Sequence, residues 1–447
     1  MNPYTGYDIH TGKAVKTFKR DIEWLGSHSR CYRNKATVNY IFPNLRGVEM
    51  ADIHNEEWTV DVWVRGGCSY GIVPSHGMIY TSPHACVCYA QSLLKGFRAL
   101  YGDAANATRP GLVTERLIKG EAYNAHLPIL STSQEQAGTS TVSGEWSTYR
   151  SNNQRSSYVK TTVKNSLSFS WKAKLGGKLS ALTIADGRVY VSQIDNHTLN
   201  AIDKNSGNKL WSFKAGGRID SPPTIYKGNA YFGCTDGYVY CLDASSGKLV
   251  WKFLAAADDR RLVVNGQLES IHPVHGSVLI RDNTIYCIAG RSMFLDGGLR
   301  LYKLNPDTGE QISLNVMNEI DPTTGEALQL KSKGQNQPPS IPDILSSDDK
   351  FIYMGVQQID LGGKRTQIYD YAPDRDKVFQ NQKGEGVHLF SPSGFLDNAR
   401  FHRNYWLYGK VYYSGNQGEW RAGSGAPAGN ILAFNDTDVL GYYGYLI

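Results

Sequence analysis

The sequence predicts an all-β fold, a single β-propeller of seven or eight four-stranded blades with irregular inserts, on three observations. The 447-residue chain contains 46 Gly and 28 Tyr, a balance that favours turns and short strands over helices. Tryptophan recurs at a constant step of 40 residues, at Trp171, Trp211 and Trp251. Short apolar runs alternate with glycine-bearing turns every eight to twelve residues or so, as in all-β arrays.

Two units of this repeat are regular, and each ends in an Asp-x-x-Ser-Gly turn before its tryptophan. Asp203 and Asp243 keep the 40-residue step, as do Gly207 and Gly247. A unit of about 40 residues supplies the four strands of one propeller blade. We expect the aspartate to accept backbone N–H bonds within the turn, the glycine to take a positive φ, and the tryptophan to pack between blades.

The remaining segments are degenerate copies of the unit, so we assign the whole chain, 1–447, to one propeller. Its parts are a partial blade at 1–18, a degenerate blade at 59–100, a Ser/Thr-rich insert with a blade opening at 131–157, regular repeats at 160–255, and degenerate blades with long loops at 256–447. Both ends of the chain fall within a unit. We therefore expect either a ring closed by the two termini or a fragment of a longer protein.

Composition excludes several classes of protein. Apolar residues make up 41% of the chain, which is enough for a folded core. The formal charge of +6 is mild for this length and does not predict nucleic-acid binding. The sequence contains no apolar run of 18 or more residues, so it does not predict a transmembrane helix. The first residues, MNPYTGYDIHTGK, are too polar for a signal peptide.

The closing pattern A-x-D-x-x-[ST]-G-x-x-x-W resembles the repeat of the pyrroloquinoline-quinone-type (PQQ-like) β-propellers. The segment WSTYRSNNQRSS, residues 146–157, is similar to the opening of the first blade in such domains. That superfamily includes quinoprotein dehydrogenases and an outer-membrane assembly scaffold, and the long inserts resemble large secreted bacterial members. The resemblance implies a periplasmic or extracellular location.

The resemblance also implies which residues would accompany a bound quinone. In quinoprotein dehydrogenases two adjacent cysteines commonly form a disulfide that stacks on PQQ, beside a calcium ion held by Glu, Asn and Asp. The seven cysteines of this chain include no adjacent pair, and Cys86-Val-Cys88 is the nearest approach. The cofactor is therefore left unassigned, and PQQ with calcium is disfavoured.

Loops that depart from the plain repeat are the places to look for chemistry, because a propeller gathers such loops at one end of its channel. In the first of them, His84, Cys86 and Cys88 would share one face of a strand and could bind a soft metal ion. A disulfide between Cys68 and one of these thiols, or simple packing of free thiols, are the alternatives.

Three further loops concentrate histidine, arginine and aromatic residues, around 258–275, 289–298 and 395–406. Each could instead be a solvated loop, a hairpin turn or a packed sheet edge. As catalytic candidates we take His84, Tyr89, His272 and His402. As substrate-binding candidates we take Arg65, Arg260, Arg261, Arg291, Asp296, Arg403 and Trp406.

If these side chains converge, the site is cationic and suits an anionic carbohydrate or another small polar ligand. A histidine or tyrosine base beside an arginine that neutralises a carboxylate is suited to β-elimination from a uronic acid, as in a polysaccharide lyase. Two alternatives remain: a non-catalytic scaffold that binds a protein partner, and a PQQ-dependent dehydrogenase.

Overall fold

The structure is a computed structural model that describes residues 4–18, 33–43, 47–61, 63–83, 94, 96–102, 113, 115–125, 144–328, 339–367, 388–390, 394–396, 406–409, 427–429 and 431–442. These residues form antiparallel sheets and two single turns of 3-10 helix. The all-β prediction is confirmed. None of the helical turns in the described ranges has the length and apolarity needed to cross a bilayer.

The first third of the chain forms a hairpin and two small sheets. The hairpin contains β1 (Tyr4–Tyr7) and β2 (Ala14–Phe18). The next sheet contains β3 (Lys35–Ala36), β4 (Tyr40–Phe42), β5 (Val48–Asp52) and β6 (Trp58–Asp61). The third contains β7 (Ile72–Ser75), β8 (Met78–Thr81) and β9 (Arg98–Tyr101). The predicted unit at 59–100 is thus divided between two sheets.

The regular repeats form the two central sheets. They are preceded by β10 (Leu117–Lys119) and the 3-10 turn η1 (Tyr123–Ala125). One sheet contains β11 (Thr183–Ala185), β12 (Arg188–Gln193), β13 (Thr198–Asp203) and β14 (Lys209–Lys214), with the 3-10 turn η2 (Ile194–Asn196). The other contains β15 (Thr224–Tyr226), β16 (Asn229–Gly233), β17 (Tyr238–Asp243) and β18 (Leu249–Leu254), and β10 joins its outer edge.

The remaining described strands continue the pattern. A hairpin of β19 (Arg261–Val264) and β20 (Gln267–Ser270) is inserted before the sheet of β21 (Leu279–Arg281), β22 (Thr284–Ala289), β23 (Leu299–Leu304) and β24 (Gln311–Met317). The next sheet contains β25 (Ser346–Ser347), β26 (Ile352–Met354), β27 (Gln357–Ile359) and β28 (Arg365–Gln367). Last come β29 (His388–Phe390), β30 (Trp406–Gly409), β31 (Ala428–Gly429), β32 (Ile431–Phe434) and β33 (Val439–Tyr442).

The repeated tryptophan locks each unit to the next one. The indole N–H of Trp211 donates to the carbonyl of Ala244 at 3.1 Å, and the turn glycine Gly247 lies directly on the indole ring. A side chain at Gly247 would meet that ring at 2.6 Å, so only glycine fits, and its φ of +74° is the left-handed conformation that glycine adopts freely. In the same turn, Asp243 accepts the backbone N–H of Ser246 at 2.7 Å. The predicted roles of these repeat positions are confirmed.

Residues 146–157, which we call the hub segment, cross the first strands of several sheets. Trp146 and Ile184 of β11 exchange two backbone hydrogen bonds, and Ser147 accepts the N–H of Ile225 in β15. Further along, the side-chain amide of Asn153 donates to Ile280 in β21, and its carbonyl accepts Ser347 N–H in β25. The hub segment therefore ties four separate sheets together by their first strands, the innermost position in a propeller blade.

The alternation of strand directions defines two faces. In each antiparallel four-stranded sheet, the connection between the second and third strands lies at the same end as the connection to the next sheet. We call this end the connecting face. It carries η2, the 215–223 segment, the β19–β20 hairpin, the 271–278 segment and the 290–298 loop. The tight turns that hold the repeat glycines lie at the other end.

Candidate active site on the connecting face

The central feature of the connecting face is a pair formed by Asp220 and His275. Asp220 lies between β14 and β15, and His275 lies between β20 and β21. Nδ1 of His275 donates to the Asp220 carboxylate at 2.6 Å, and the other carboxylate oxygen accepts Gly276 N–H at 2.9 Å. The His275 side chain is 24% exposed, and its Nε2 has no hydrogen-bond partner among the described residues. The ring is therefore fixed in the tautomer that leaves Nε2 as an available acceptor.

The two groups shift each other's protonation. Burial would lower the pKa of His275, but the carboxylates of Asp220 and Glu269 more than offset this effect and raise the pKa above its ordinary value. Burial would likewise raise the pKa of Asp220, yet the charge and hydrogen bond of His275 hold it below its ordinary value. Asp220 is therefore a carboxylate that both orients the imidazole and strengthens it as a base.

Arg218 brings a guanidinium group to the same place. Its Nε lies 2.9 Å from Oδ1 of Asp195, and its Nη1 lies 3.2 Å from Oε1 of Glu269. Its backbone is anchored as well, because its N–H donates to the hydroxyl of Thr235 at 2.8 Å. The charge of Arg218 is close enough to lower the pKa of both Asp220 and His275. A guanidinium group therefore lies within electrostatic reach of the oriented imidazole.

The β19–β20 hairpin forms a wall of this site. Gln267 near its tip contacts the β12–β13 connection, where its Oε1 lies 2.6 Å from Nε2 of His197 and its Nε2 donates to the carbonyl of Asp195 at 3.1 Å. At its base, Ser270 N–H donates to the carbonyl of Thr235 at 2.9 Å. The hairpin therefore folds back over the neighbouring sheets and does not extend into solvent.

A second cluster lies beyond the Glu269–His275 segment, in the loop between β22 and β23. Arg291 pairs with Asp296 at 2.5 Å, and the carbonyl of Asp296 accepts a hydrogen bond from Nε2 of the fully buried His272 at 3.0 Å. Arg260 pairs with Asp258 through two nitrogens at 2.8 to 3.1 Å. Burial lowers the pKa of His272, which therefore stays neutral and serves to hold the loop.

The structure brings together four of the predicted site residues and separates others. Arg260, His272, Arg291 and Asp296 all belong to the second cluster. Arg261 is exposed at the start of β19, and Arg65 is buried between β6 and β7. Trp406 lies elsewhere, with the guanidinium of Arg150 in the hub segment 3.7 Å from its ring centroid. The remaining candidates lie outside the described residues: His84, Cys86, Cys88, Tyr89, His402 and Arg403.

Sequence reasoning did not single out Asp220 or Arg218, because both lie inside the regular repeat. A signal was nevertheless present. At the equivalent positions one unit earlier, 40 residues before, the sequence has Lys178 and Ser180. A change from serine to aspartate, shortly after a Gly-Gly pair that both units share at 176–177 and 216–217, marks a site that the blade itself does not require.

The described residues do not fit PQQ with calcium. Cys241 and Cys287 are buried in separate strands, β17 and β22, and Cys234 is buried just after β16. No two cysteines of the chain are adjacent, so the stacking disulfide has no counterpart. Across the described ranges, no three His, Cys, Asp or Glu side chains come close enough to hold a metal ion. The proposed metal group of His84, Cys86 and Cys88 lies outside those ranges.

Comparison with known proteins agrees with the repeat pattern. Residues 159–296 match the family described as outer membrane protein assembly factor BamB. The quinoprotein ethanol dehydrogenase of Pseudomonas aeruginosa is 27% identical over 234 residues, which cover 47% of this chain and 34% of that enzyme. The dehydrogenase subunit of a quinone-dependent alcohol dehydrogenase from Gluconobacter oxydans is 26% identical over 167 residues, 32% of this chain and 22% of that subunit.

A solved structure of the quinohemoprotein alcohol dehydrogenase ADHIIG from Pseudomonas putida aligns with 68% of this chain and 49% of that one, at 14% identity and a TM-score of 0.41. The chain spans about a third or less of the length of the two curated relatives that it matches. The family match covers the segment in which the 40-residue repeat is most regular. The chain therefore contains PQQ-like β-propeller repeats, and the family match covers residues 159–296.

Proposed function

We propose that the connecting face binds a hydroxylated, anionic small molecule of the carbohydrate type and that His275 acts there as a general base. The observation that carries the proposal is the Asp220–His275 pair, which leaves Nε2 of the ring without a partner among the described residues and lies within reach of the charge of Arg218. A histidine oriented by a carboxylate is a common device for taking a proton from a substrate hydroxyl or carbon. We also propose a periplasmic or extracellular location, which the sequence resemblance predicts.

Two reactions use such a base, and the comparisons favour oxidation of an alcohol over β-elimination. The curated relatives are named as quinone-dependent alcohol dehydrogenases. In an oxidation, Nε2 of His275 would take the hydroxyl proton, and the hydride would pass to a separate two-electron acceptor, the quinone or dye supplied in the assay. Because the described residues do not fit the quinone, we assign this chain no other part of that reaction.

β-Elimination is the second candidate, and the nearness of Arg218 to the base favours it. The guanidinium would stabilise the charge that develops on a substrate carboxylate while His275 takes the proton from the adjacent carbon. The electron pair of that C–H bond forms a C=C bond, the C–O bond on the next carbon breaks, and the leaving oxygen takes a proton from water.

The experiment offers purified protein two substrates in parallel. One arm contains D-gluconate, PQQ, Ca²⁺ and a reducible dye. The other contains oligogalacturonate and follows the near-ultraviolet absorbance of unsaturated ends. We expect turnover in one arm, and we expect H275N to reduce it by roughly 10²- to 10⁴-fold, the usual contribution of a general base. The matched control H54N removes an exposed imidazole from the β5–β6 turn and should change nothing.

Turnover that H275N leaves intact would remove His275 from the reaction. Absence of turnover in both arms, together with recovery of a protein partner, would instead support the scaffold interpretation.

A further inference from the structure

We propose that residues 168–174, which we call the docking strand, bind an extended acidic segment of a partner protein by addition of a β-strand. The docking strand lies between the hub segment and β11 in the sequence and contains none of the residues of the proposed active site. The proposal therefore goes beyond the proposed reaction and does not depend on it.

The docking strand lies where the repeat places a fourth strand. Trp171 precedes Trp211 of β14 by one repeat of 40 residues, and β14 is the fourth strand of its sheet. A side chain at Gly207 would meet the ring of Trp171 at 2.6 Å, just as one at Gly247 would meet Trp211. The indole N–H of Trp171 also donates to the carbonyl of Lys204 at 2.9 Å. Trp171 is therefore packed on the following sheet in the same way as Trp211.

The docking strand differs from β14 in its backbone, which is not paired with a third strand. Among the described residues, the backbone N–H and C=O groups of residues 162–174 form no hydrogen bond, whereas β14 pairs with β13 along its length. Its side chains alternate between partly buried and exposed from Trp171 to Leu175, which is the period of an extended strand. An extended strand with unpaired backbone groups is a template on which another strand can pair.

The sequence explains why the preceding residues do not fold back to pair with the docking strand. The Lys-Asn-Ser of the repeat turn is kept at 164–166, but the two residues that form the turn are not. At the position of Asp203 the chain has Val163, which has no oxygen to accept the N–H groups of the turn. At the position of Gly207, whose φ is +73°, it has Leu167, which disfavours that conformation. A strand that pairs here must therefore come from elsewhere.

The docking strand presents one apolar and one basic face. Trp171, Ala173 and Leu175 pack against the apolar cluster of the β11–β14 sheet. Lys172 and Lys174 alternate with them and are exposed. Within the part of the chain that the structure describes, neither lysine forms an ion pair.

Charge determines which strand fits. The sequence from 158 to 185 contains five lysines and no acidic residue. Side chains on an added strand would lie opposite Lys172 and Lys174, where opposite charges stabilise the pairing and like charges destabilise it. Pairing between the docking strands of two copies would bring like charges together. The strand that fits is therefore a partner's segment in which acidic residues alternate with apolar ones.

The molecule already contains one strand addition of this kind. β10 pairs antiparallel with β18, the fourth strand of a neighbouring sheet, although Leu117 and its partner Phe253 are far apart in the sequence. In such additions the main-chain hydrogen bonds provide affinity, and the alternating side chains provide specificity. The fourth strand of this repeat is thus able to accept another strand.

Amide hydrogen exchange on the full chain tests the proposal. In the free protein, the amides of the docking strand should exchange about 100-fold faster than those of β14, its paired counterpart one repeat later. An eight-residue peptide of alternating Glu and Val, capped at both ends, should slow exchange in the docking strand and leave β14 unchanged. A Lys-Val peptide of the same length should bind about tenfold more weakly or worse. A Glu-Val peptide with a central proline should also bind more weakly, because proline donates no backbone hydrogen bond.

A charge reversal separates this contact from general attraction to a basic protein. K172E should weaken the Glu-Val peptide about fivefold and strengthen the Lys-Val peptide by a similar factor. The matched control K350E reverses an exposed lysine in the β25–β26 turn and should bind both peptides as the unmodified protein does.

Three results would overturn the proposal. Amides of the docking strand that exchange as slowly as those of β14 in the free protein would mean that the strand is already paired within the chain. Slowing that grows with protein concentration in the absence of peptide would assign the contact to a second copy. Equal affinity for the Glu-Val and Lys-Val peptides would remove the acidic partner.

Discussion

The carboxylate of Asp220 lies 2.6 Å from Nδ1 of His275, although the two residues are 55 positions apart and belong to the connections before and after one central sheet. The sheet fixes the distance between these connections. The contact between Asp220 and His275 therefore depends on the arrangement of the sheet and not on a local sequence motif. Asp220 faces inward to the ring nitrogen and to Gly276, which leaves the opposite nitrogen of His275 as the reactive position.

The first prediction concerns the pH dependence of D220N. The Asp220 carboxylate raises the pKa of His275, so activity that needs the neutral ring should increase with pH through a value above the ordinary histidine range. In D220N the pKa of His275 should fall, because burial then acts unopposed by that charge, and the rising limb should move to lower pH. The plateau rate should also drop at least tenfold, since the ring loses its fixed tautomer.

Measurement of kcat/KM against pH for both proteins checks this prediction. If the rising limb of the D220N profile lies at the same pH as that of the unmodified protein, the limb reports a group other than His275. D186N, in the exposed β11–β12 turn on the opposite face, is the matched control, and its profile should be that of the unmodified protein.

The second prediction concerns the contact between Gly247 and Trp211. G247A places a methyl group 2.6 Å from the indole ring and forces alanine into a left-handed conformation, so we expect destabilisation of about 2 to 4 kcal/mol. G228A has nearly the same φ, +71°, but no atom lies within 4 Å of the added methyl, so it should cost only about 1 kcal/mol. Urea unfolding measures both. Similar losses for the two variants would mean that backbone strain, not the ring contact, decides.

The third prediction concerns Arg155 in the hub segment. Its side chain is fully buried and donates to the carbonyl of Leu345 at 2.9 Å, the hydroxyl of Thr148 at 2.9 Å and the carbonyl of Tyr149 at 3.1 Å. R155M removes a buried cation but leaves these acceptors without a donor. We therefore expect the free energy of unfolding to fall by about 3 kcal/mol. R188M removes a partly exposed guanidinium and should cost less than about 1 kcal/mol. If R155M is as stable as the unmodified protein, the hub segment does not need these hydrogen bonds.

The repeat could be predicted from the sequence because its signals are local. The tryptophan, the turn aspartate and the turn glycine recur at one spacing, and each makes its contact within one unit of its own position. Trp211 reaches Ala244, and Asp243 binds Ser246, as their spacing suggests. Local patterns of this kind depend on strand period and turn chemistry, which the sequence displays directly.

Long-range pairings carry no such signal. Leu117 of β10 pairs with Phe253 of β18 across 136 residues, and nothing in the composition of β10 indicates that partner. The hub segment could be recognised as a blade opening, but its crossing of several sheets could not, because it depends on how the blades are arranged. For the same reason His272 was chosen as a catalytic residue, although His275 is the histidine that is oriented and accessible.

The last prediction concerns acid stability and His388. Its ring stacks on Tyr353 with centroids 3.8 Å apart, and Nε2 donates to the carbonyl of Gly355 at 3.2 Å. Burial lowers the pKa of His388 to about 4, well below the ordinary value near 6.5. Between these two values the unfolded chain binds a proton that the folded chain excludes, so stability should fall as pH falls through this window and level off below about pH 4.

H388F keeps an aromatic ring against Tyr353 but has no titratable group. At neutral pH it should be less stable by about 1 kcal/mol, because the hydrogen bond to Gly355 is lost. Its stability should then change less than that of the unmodified protein as the pH falls from 6.5 to 4. Urea unfolding at pH 7, 5.5 and 4 compares the two slopes. Parallel slopes would mean that the buried ring does take up a proton, and hence that the region between β26 and β29 opens to water in acid.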